Sequence, residues 1–286
     1  MDPLFQEKLA ALVESALRED IGDGDHTTLS TISPDVRGKA VLKIKEAGIL
    51  AGMEVAEFIF RFMQPNCVFK PMMQDGDQML PGQQAFEVEG NASVLLQCER
   101  LVLNTMQRMS GIATLTNQYV EKLKGFKTKI LDTRKTTPNF RLLEKEAVRI
   151  GGGGNHRFGL YDMILIKDNH IDFCGGIEEA MTLSLIYVEK TKPGLKIEVE
   201  ARSLADVKKV MDFGKADRIL LDNFSVSDLV EAVKMLNGKI ETEASGGINL
   251  ENLQEIAATG VDYISSGALI HQARSLDLSL KAIIGS

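Results

Sequence analysis

The sequence predicts an α/β protein in two parts. An N-terminal α+β domain ends near residue 110, and an open, incomplete TIM-like α/β barrel of six or seven strands follows. Residues 38–90 break into short apolar runs separated by Gly and Pro, the signature of short strands joined by tight turns. From residue 128 onward, apolar runs alternate with amphipathic stretches, which implies parallel βα units. Residues 128 to 270 are too few for a full eightfold barrel, which takes about 250. A doubly wound open sheet is the alternative.

Taken in order, Pro3 to about Glu19 puts Phe5, Leu9, Leu12, Val13, Ala16 and Leu17 on one helical face, and Asp20-Ile21-Gly22 stops the helix. Ala92 to Lys124 is long and mostly helical, with apolar Leu95, Val102, Met106 and Met109; Gly111 reads as a kink or boundary within it. Six strand-like runs follow, at Lys129-Leu131, Met163-Ile166, Ile197-Val199, Arg218-Leu221, Ile240-Glu243 and Tyr263-Ser265. Amphipathic stretches such as SLADVKKVMDFG and NLENLQEIAATG lie between them. The domains are expected at 1–110 and 111–272.

Composition narrows the function classes. At 286 residues, 44% hydrophobic and 26% charged, the chain can bury a sizeable core. A net charge of −7 argues against a general nucleic-acid binder, which needs a basic balance. No run approaches the roughly 18 apolar residues of a membrane helix, and MDPLFQEKLA lacks the basic start and apolar core of a signal peptide. Cys67, Cys98 and Cys174 are far apart and odd in number. They read as reduced thiols in a cytoplasmic protein.

Barrel active sites lie at the C-terminal ends of the strands, so the residues just past each run carry the chemistry. They are Asp132-Thr133-Arg134-Lys135, Lys167-Asp168-Asn169-His170, Glu200-Ala201-Arg202, Asp222-Asn223, Ala244-Ser245-Gly246-Gly247 and Ser266-Gly267. Arg134, Lys135, Arg157 and Lys167, with His156, form a cationic set suited to an anionic substrate, because guanidinium forks bind carboxylate or phosphate at two points. Arg141 and Arg149 are set aside as partners for Glu144 and Glu146. Glu200 and Asp222 would repel an anion unless a cation lay between, which points to Mg²⁺; the plainer reading pairs each with a site lysine. Ser245-Gly246-Gly247 and Ser266-Gly267 offer bare N–H groups for phosphate, and His271 follows close behind. In GGGGNHRFGLYDMILIKDNHI, the glycines at 151–154 read as a tight bend delivering His156 and Arg157, rather than as ligand contacts of their own.

The stretches LDTRKTTPNFRLLEKEAV, GGGNHRFGLYDMILIKDNHI, EVEARSL, LLDNFS and EASGGI, in this order, together with EDIGDGDHTT and ERLVLNTMQRMSGIAT earlier in the chain, resemble the quinolinate phosphoribosyltransferase family. The resemblance implies a sandwich-like N-terminal α+β domain, an open seven-stranded barrel, and a C-terminal tail, 273–286, packing back toward the first domain. It implies a homodimer in which Arg100 reaches the partner's site and binds a quinolinate carboxylate. Thr133, Arg134, His156 and Arg157 would complete that pocket. Lys135 and Lys167 would stand near the pyrophosphate and the reacting centre, Glu200 and Asp222 near the ribose and Mg²⁺. Ser245, Gly246, Gly247, Ser266, Gly267 and His271 would hold the 5′-phosphate. The implied substrates are quinolinate and phosphoribosyl pyrophosphate, in the synthesis of NAD.

Three other readings are weighed against this one. Lys167 or Lys135 could serve as a Schiff-base lysine, which leaves the arginines and the phosphate signatures unexplained. PMMQDGDQMLPGQQAFEVEG has the strand-turn look of a lipoyl- or biotinyl-carrier module, but Lys70 precedes the run and the turns carry Asp and Gly. A related phosphoribosyltransferase acting on another pyridine acid is the nearest competitor.

Overall fold

The computed structural model describes residues 2–283; the end of the expected tail, Ile284, Gly285 and Ser286, lies outside the described residues. The elements run α1 (Pro3–Ile21), α2 (His26–Thr31), β1 (Arg37–Ile44), β2 (Gly48–Ile49), α3 (Met53–Met63), β3 (Val68–Pro71), β4 (Gln78–Met79), β5 (Gln84–Asn91), α4 (Ala92–Lys122), β6 (Lys129–Leu131), α5 (Arg141–Ile150) and β7 (Ile164–Ile166). They continue with α6 (Asp168–Cys174), α7 (Ile177–Thr191), β8 (Ile197–Ala201), α8 (Leu204–Phe213), β9 (Arg218–Asp222), α9 (Val226–Leu236), β10 (Glu241–Ser245), α10 (Leu253–Ala258), β11 (Tyr263–Ser265), α11 (Ala268–His271) and β12 (Leu278–Ala282). Two compact units share them. The first takes the chain up to Asn117, Thr136–Gly152 and Ile270 onward; the second takes Gln118–Lys135 and Gly153–Leu269.

The first unit is built on an antiparallel sheet in the order β12-β1-β5-β3. Strand β12 pairs with β1 from Ala40↔Ala282 to Ile44↔Leu278, so the end of the chain covers what would otherwise be an open edge. Helix α3 buries Met53, Val55, Ala56, Ile59 and Phe60. Phe60 meets Phe86 edge-on at 6.1 Å, and Phe86 lies 4.6 Å from Phe69. Burying each such ring contributes about 1.5–3 kcal/mol. Helix α1 opens with Asp2 accepting the Phe5 N–H at 2.9 Å and Pro3 in the first turn, and it buries Leu9, Val13 and Leu17.

One local expectation changes here. Helix α4 runs through Gly111 without a break. The glycine is there for space, because a Cβ would collide with the carbonyl oxygen of Arg274. The turns in residues 71–90 also have a structural role: Asp75 accepts the N–H groups of Gly52, Met53 and Glu54 at 2.6, 2.9 and 3.4 Å, capping α3.

The second unit is a parallel sheet ordered β6-β11-β10-β9-β8-β7. Gly154 adds a one-residue parallel bridge to Leu131, on the free side of β6. The sheet therefore has seven parallel segments, with Gly154 at one end and β7 at the other. These two segments are neighbours in the chain but not in the sheet, which leaves the barrel open between them. Helices α8 and α9 bury Val207, Val210, Leu229, Ala232 and Leu236. Strand β7 starts one residue later than expected, and β8, β9 and β10 run on to Ala201, Asp222 and Ser245, so Glu200, Asp222 and Ser245 stand in the ends of their strands rather than past them.

Candidate active site

Strand β6 ends in Asp132, which is fully buried. Its carboxylate accepts the His156 N–H at 2.8 Å and the Asn155 side-chain amide at 2.6 Å, clasping the glycine turn to the strand end. The turn itself is tied down by its own amides. Gly151 donates to Ala147, Gly152 to Arg149 and Gly154 to Ile130, and Gly152 has φ +91°, where a side chain is disfavoured. Three of the four glycine N–H groups are thus held within the protein, as a bend requires.

The turn delivers Arg157. Its Nη1 donates to the Met163 carbonyl at 3.1 Å, across the opening of the barrel. Burial, and then the neighbouring Arg134 guanidinium, hold Arg157 below the ordinary arginine range. Two guanidiniums close together and partly buried repel each other, and an anion between them would relieve that repulsion. Just past Arg134, the Thr133 hydroxyl accepts the Lys135 N–H at 3.0 Å. Lys135 and Lys167 are exposed, and neither ammonium makes an ion pair among the described residues. The N–H of Lys167 is capped by His170 Nδ1 at 3.0 Å.

The middle strands carry acid. Glu200 is 6% exposed and accepts the Asp168 N–H at 3.2 Å. Burial, and with it the Asp222 and Asp168 carboxylates, push its pKa up, against the Asp168 N–H bond and Lys167. Asp222 accepts from the Asn223 amide at 2.7 Å. Asn223, at φ +56°, donates its N–H to Ser245 at 2.9 Å. Gly246, at φ +96°, has no room for a Cβ, which would strike the Asn223 side chain, and Gly247 follows at φ +61°. Ser266 is buried, and its hydroxyl donates to Ile248 at 3.2 Å and accepts the Ala268 N–H at 3.3 Å. The fold thus already engages the Ser266 side chain. His271 is exposed at the end of α11 and belongs to the first unit.

A second acidic group lies one layer deeper. Glu198 and Glu243 are 0% and 1% exposed. His156 Nε2 stands 3.0 Å from Glu198 and 3.4 Å from Glu243. Arg218 Nη1 donates to Glu243 at 2.9 Å, and its other nitrogens reach Glu241. The Arg218 guanidinium stacks 4.0 Å above the Tyr263 ring. His156, Glu198 and Glu243 have the composition of a metal site. Here, however, Arg218 answers one carboxylate and a proton held between His156 and Glu198 answers the other, so charge balance asks for no further cation. The side chain of His156 is 7% exposed, and its Nδ1 accepts the Arg157 N–H at 2.7 Å. Both ring nitrogens therefore face protein groups, where the sequence reading had the imidazole meeting the acid substrate.

The first unit has its own buried hub. Glu144 accepts from Arg108 at 2.9 and 3.0 Å and from the Thr137 N–H and hydroxyl at 2.8 and 2.9 Å. Arg108 also donates to the Ile270 and Ala273 carbonyls. Glu144 is thus the anchor of Arg108, while Arg141 donates to Thr136 at 2.9 Å. Glu146 pairs with Arg149 as expected. Arg100 is exposed on α4 and makes no ion pair among the described residues.

Residues 25–110 match the family model described as quinolinate phosphoribosyl transferase, N-terminal domain, and residues 112–281 match the C-terminal domain of the same family. The chain belongs to the quinolinate phosphoribosyltransferase family. It is 44% identical to quinolinate phosphoribosyltransferase [decarboxylating] 1b of Nicotiana tabacum, over 96% of this chain and 82% of that one. It is 42% identical to the probable nicotinate-nucleotide pyrophosphorylase [carboxylating] of Bacillus subtilis, over 98% and 95%. The crystal structure of NadC from Streptococcus pyogenes superposes with a TM-score of 0.90, at 38% identity and 99% coverage of both chains.

Within this quinolinate phosphoribosyltransferase fold, the strand ends of the second unit bring together Thr133, Arg134 and Lys135 with Arg157, and Lys167 with Glu200 and Asp222. Sequence reasoning named Asp132, Asp168 and Asn223 among the strand ends without giving them a role, and missed Glu198, Arg218 and Glu243. Asp132 and Asp168 were legible as polar strand ends. Glu198 lies inside the run Ile197–Val199 and Glu243 closes the run Ile240–Glu243, and only the residues after each run were read for function.

Proposed function

We propose that the chain catalyses transfer of a phosphoribosyl group from phosphoribosyl pyrophosphate to quinolinate, releasing pyrophosphate and CO₂ and forming nicotinate mononucleotide for NAD synthesis. One observation carries the reading: sheet order sorts the strand ends by chemistry. Across the sheet come Arg157 beside the Gly154 bridge, Arg134 and Lys135 after β6, the Gly267 and Gly246-Gly247 turns after β11 and β10, then Asp222 as the last residue of β9, Glu200 one before the end of β8, and Lys167 after β7. An acid-binding edge, a phosphate-binding centre and an acidic ribose-facing stretch are what the two substrates need side by side.

Arg134 and Arg157 would bind the acid, with Thr133 beside them. Ser245, Gly246, Gly247 and the Gly267 turn would take the 5′-phosphate on backbone N–H groups, with Ser266 contributing its backbone. Departure of pyrophosphate leaves positive charge on the ribose, which the Glu200 carboxylate would stabilise. Lys135 and Lys167 would neutralise the leaving group. The alkylated pyridine nitrogen is cationic and makes loss of the adjacent carboxylate feasible, because the carbanion forms beside N⁺. Magnesium fits Glu200 and Asp222. These are hard oxygen donors, and with Asp168 they present three carboxylates against one lysine. When bound, it would offset the charge of the pyrophosphate.

Arg100 would be donated across a homodimer interface to a quinolinate carboxylate; its exposure without an ion pair supports that role. A cytoplasmic location fits three free thiols, although one curated relative is named as mitochondrial and another as chloroplastic. The test is turnover of quinolinate and phosphoribosyl pyrophosphate with and without Mg²⁺, following nicotinate mononucleotide and CO₂. Arg157→Ala and Arg100→Ala are expected to weaken quinolinate binding by about 10- to 100-fold, from loss of charge-assisted bonds, and phosphoribosyl pyrophosphate binding far less. Equal loss of both would remove the acid-binding assignment.

A further inference from the structure

We infer that Glu198 and Glu243 are positioning residues for Arg157, acting through His156. This rests on the reading of Arg157 as an acid-binding group. The chain of contacts is continuous within the second unit. Glu198 from β8 and Glu243 from β10 face His156 Nε2 at 3.0 and 3.4 Å. The opposite ring nitrogen, Nδ1, accepts the Arg157 N–H at 2.7 Å, and the Arg157 side chain is then fixed by Met163 at 3.1 Å. From β6, Asp132 holds the His156 N–H at 2.8 Å.

The relay depends on which ring nitrogen carries the proton. A neutral imidazole with its proton on Nε2 directs that proton toward the carboxylates and leaves a lone pair on Nδ1 for Arg157. Carboxylates facing Nε2 select that tautomer. Arg218 from β9, bonded to Glu243 at 2.9 Å, keeps the second carboxylate ionised for this task. Ser265 also bonds Glu243, from β11. Every strand from β8 to β11 therefore contributes a group to the support of one loop arginine. A well-supported binding group holds its geometry without losing freedom on each encounter.

The test uses the full chain, labelled with ¹⁵N in histidine. There are four histidines, and the spectrum of His156→Gln assigns the signal. Near neutral pH the unaltered protein is expected to show Nε2 as N–H and Nδ1 as a proton-free acceptor. An imidazolium or the Nδ1–H tautomer overturns the relay, since neither can accept from Arg157. This readout needs no variant of the glutamates and no activity. Quinolinate affinity is then measured by calorimetry without phosphoribosyl pyrophosphate. Glu198→Gln and Glu243→Gln are each expected to lose about tenfold, non-additively with Arg157→Ala. Normal affinity in both glutamine variants beside a defective Arg157→Ala overturns the positioning, as does full additivity. Normal affinity in Arg157→Ala overturns instead the acid-binding reading on which the inference rests, and the His156 spectrum keeps that failure distinct from a failed relay.

Discussion

Glu198 and Glu200 stand two residues apart on β8, on one face of the same strand, yet their surroundings oppose each other. Glu198 shares its layer with Glu243, and there the Arg218 guanidinium and one proton held between His156 and Glu198 answer the two carboxylates. Glu200 shares its layer with the Asp222 and Asp168 carboxylates, and Lys167 is the positive side chain acting on it. Both glutamates are buried, so burial does not separate them. Charge balance does. The deeper layer is balanced in charge and holds the structure. The upper layer is short of positive charge and is a place for a ligand or a cation.

The largest effect expected from breaking this contrast is in the deeper layer. Arg218→Ala leaves Glu243 buried without its guanidinium, and should cost about 3–5 kcal/mol of stability, read from the urea midpoint and the melting temperature. Glu200→Ala should do the reverse. It removes a carboxylate that the folded protein strains to ionise, so stability should hold or rise, while kcat falls by about 10²–10³ if the group acts on the transition state. An unchanged kcat would take Glu200 out of the chemistry.

The third prediction concerns pH. Burial lowers the His156 pKa, but Glu198 and Glu243 outweigh it and carry the imidazole up to about 9, against 6.5 for an ordinary histidine. Burial also raises Glu198. The extra proton thus belongs to the coupled pair His156–Glu198, and Nδ1 can still accept from Arg157 when the proton sits on the carboxyl. The folded pKa lies above the unfolded value, so the contribution to stability is fully present below pH 6.5. It falls as pH rises, because the unfolded chain has released the proton the fold retains, and it is gone above about pH 9. The urea midpoint should decline across that window, and Glu198→Gln should flatten the decline. The smallest effect is at the rim of the same network: Glu241 is 44% exposed, and Glu241→Gln should cost less than about 1 kcal/mol.

Legibility in the sequence followed the same division. Apolar runs spaced by amphipathic stretches determined a parallel βα architecture, and the shortness of residues 128–270 determined that the barrel stays incomplete. The polar residues after each run marked the site, because strand ends are where a packed strand meets solvent and ligand. Three things were decided only by the tertiary structure. Gly111 serves close packing against Arg274, a partner 163 residues further along the chain. His156, by sequence another cation of the cluster, turns inward, because two strands distant in sequence place carboxylates beneath it. The split between Glu198 and Glu200 cannot be read from IEVEA at all, since alternation gives both the same face. What differs is the neighbouring strand: the pairing register sets Arg218 opposite Glu198 and Leu220 opposite Glu200. Local pattern fixes which face a residue takes; the charge waiting on that face comes from other strands, and only folding brings them together.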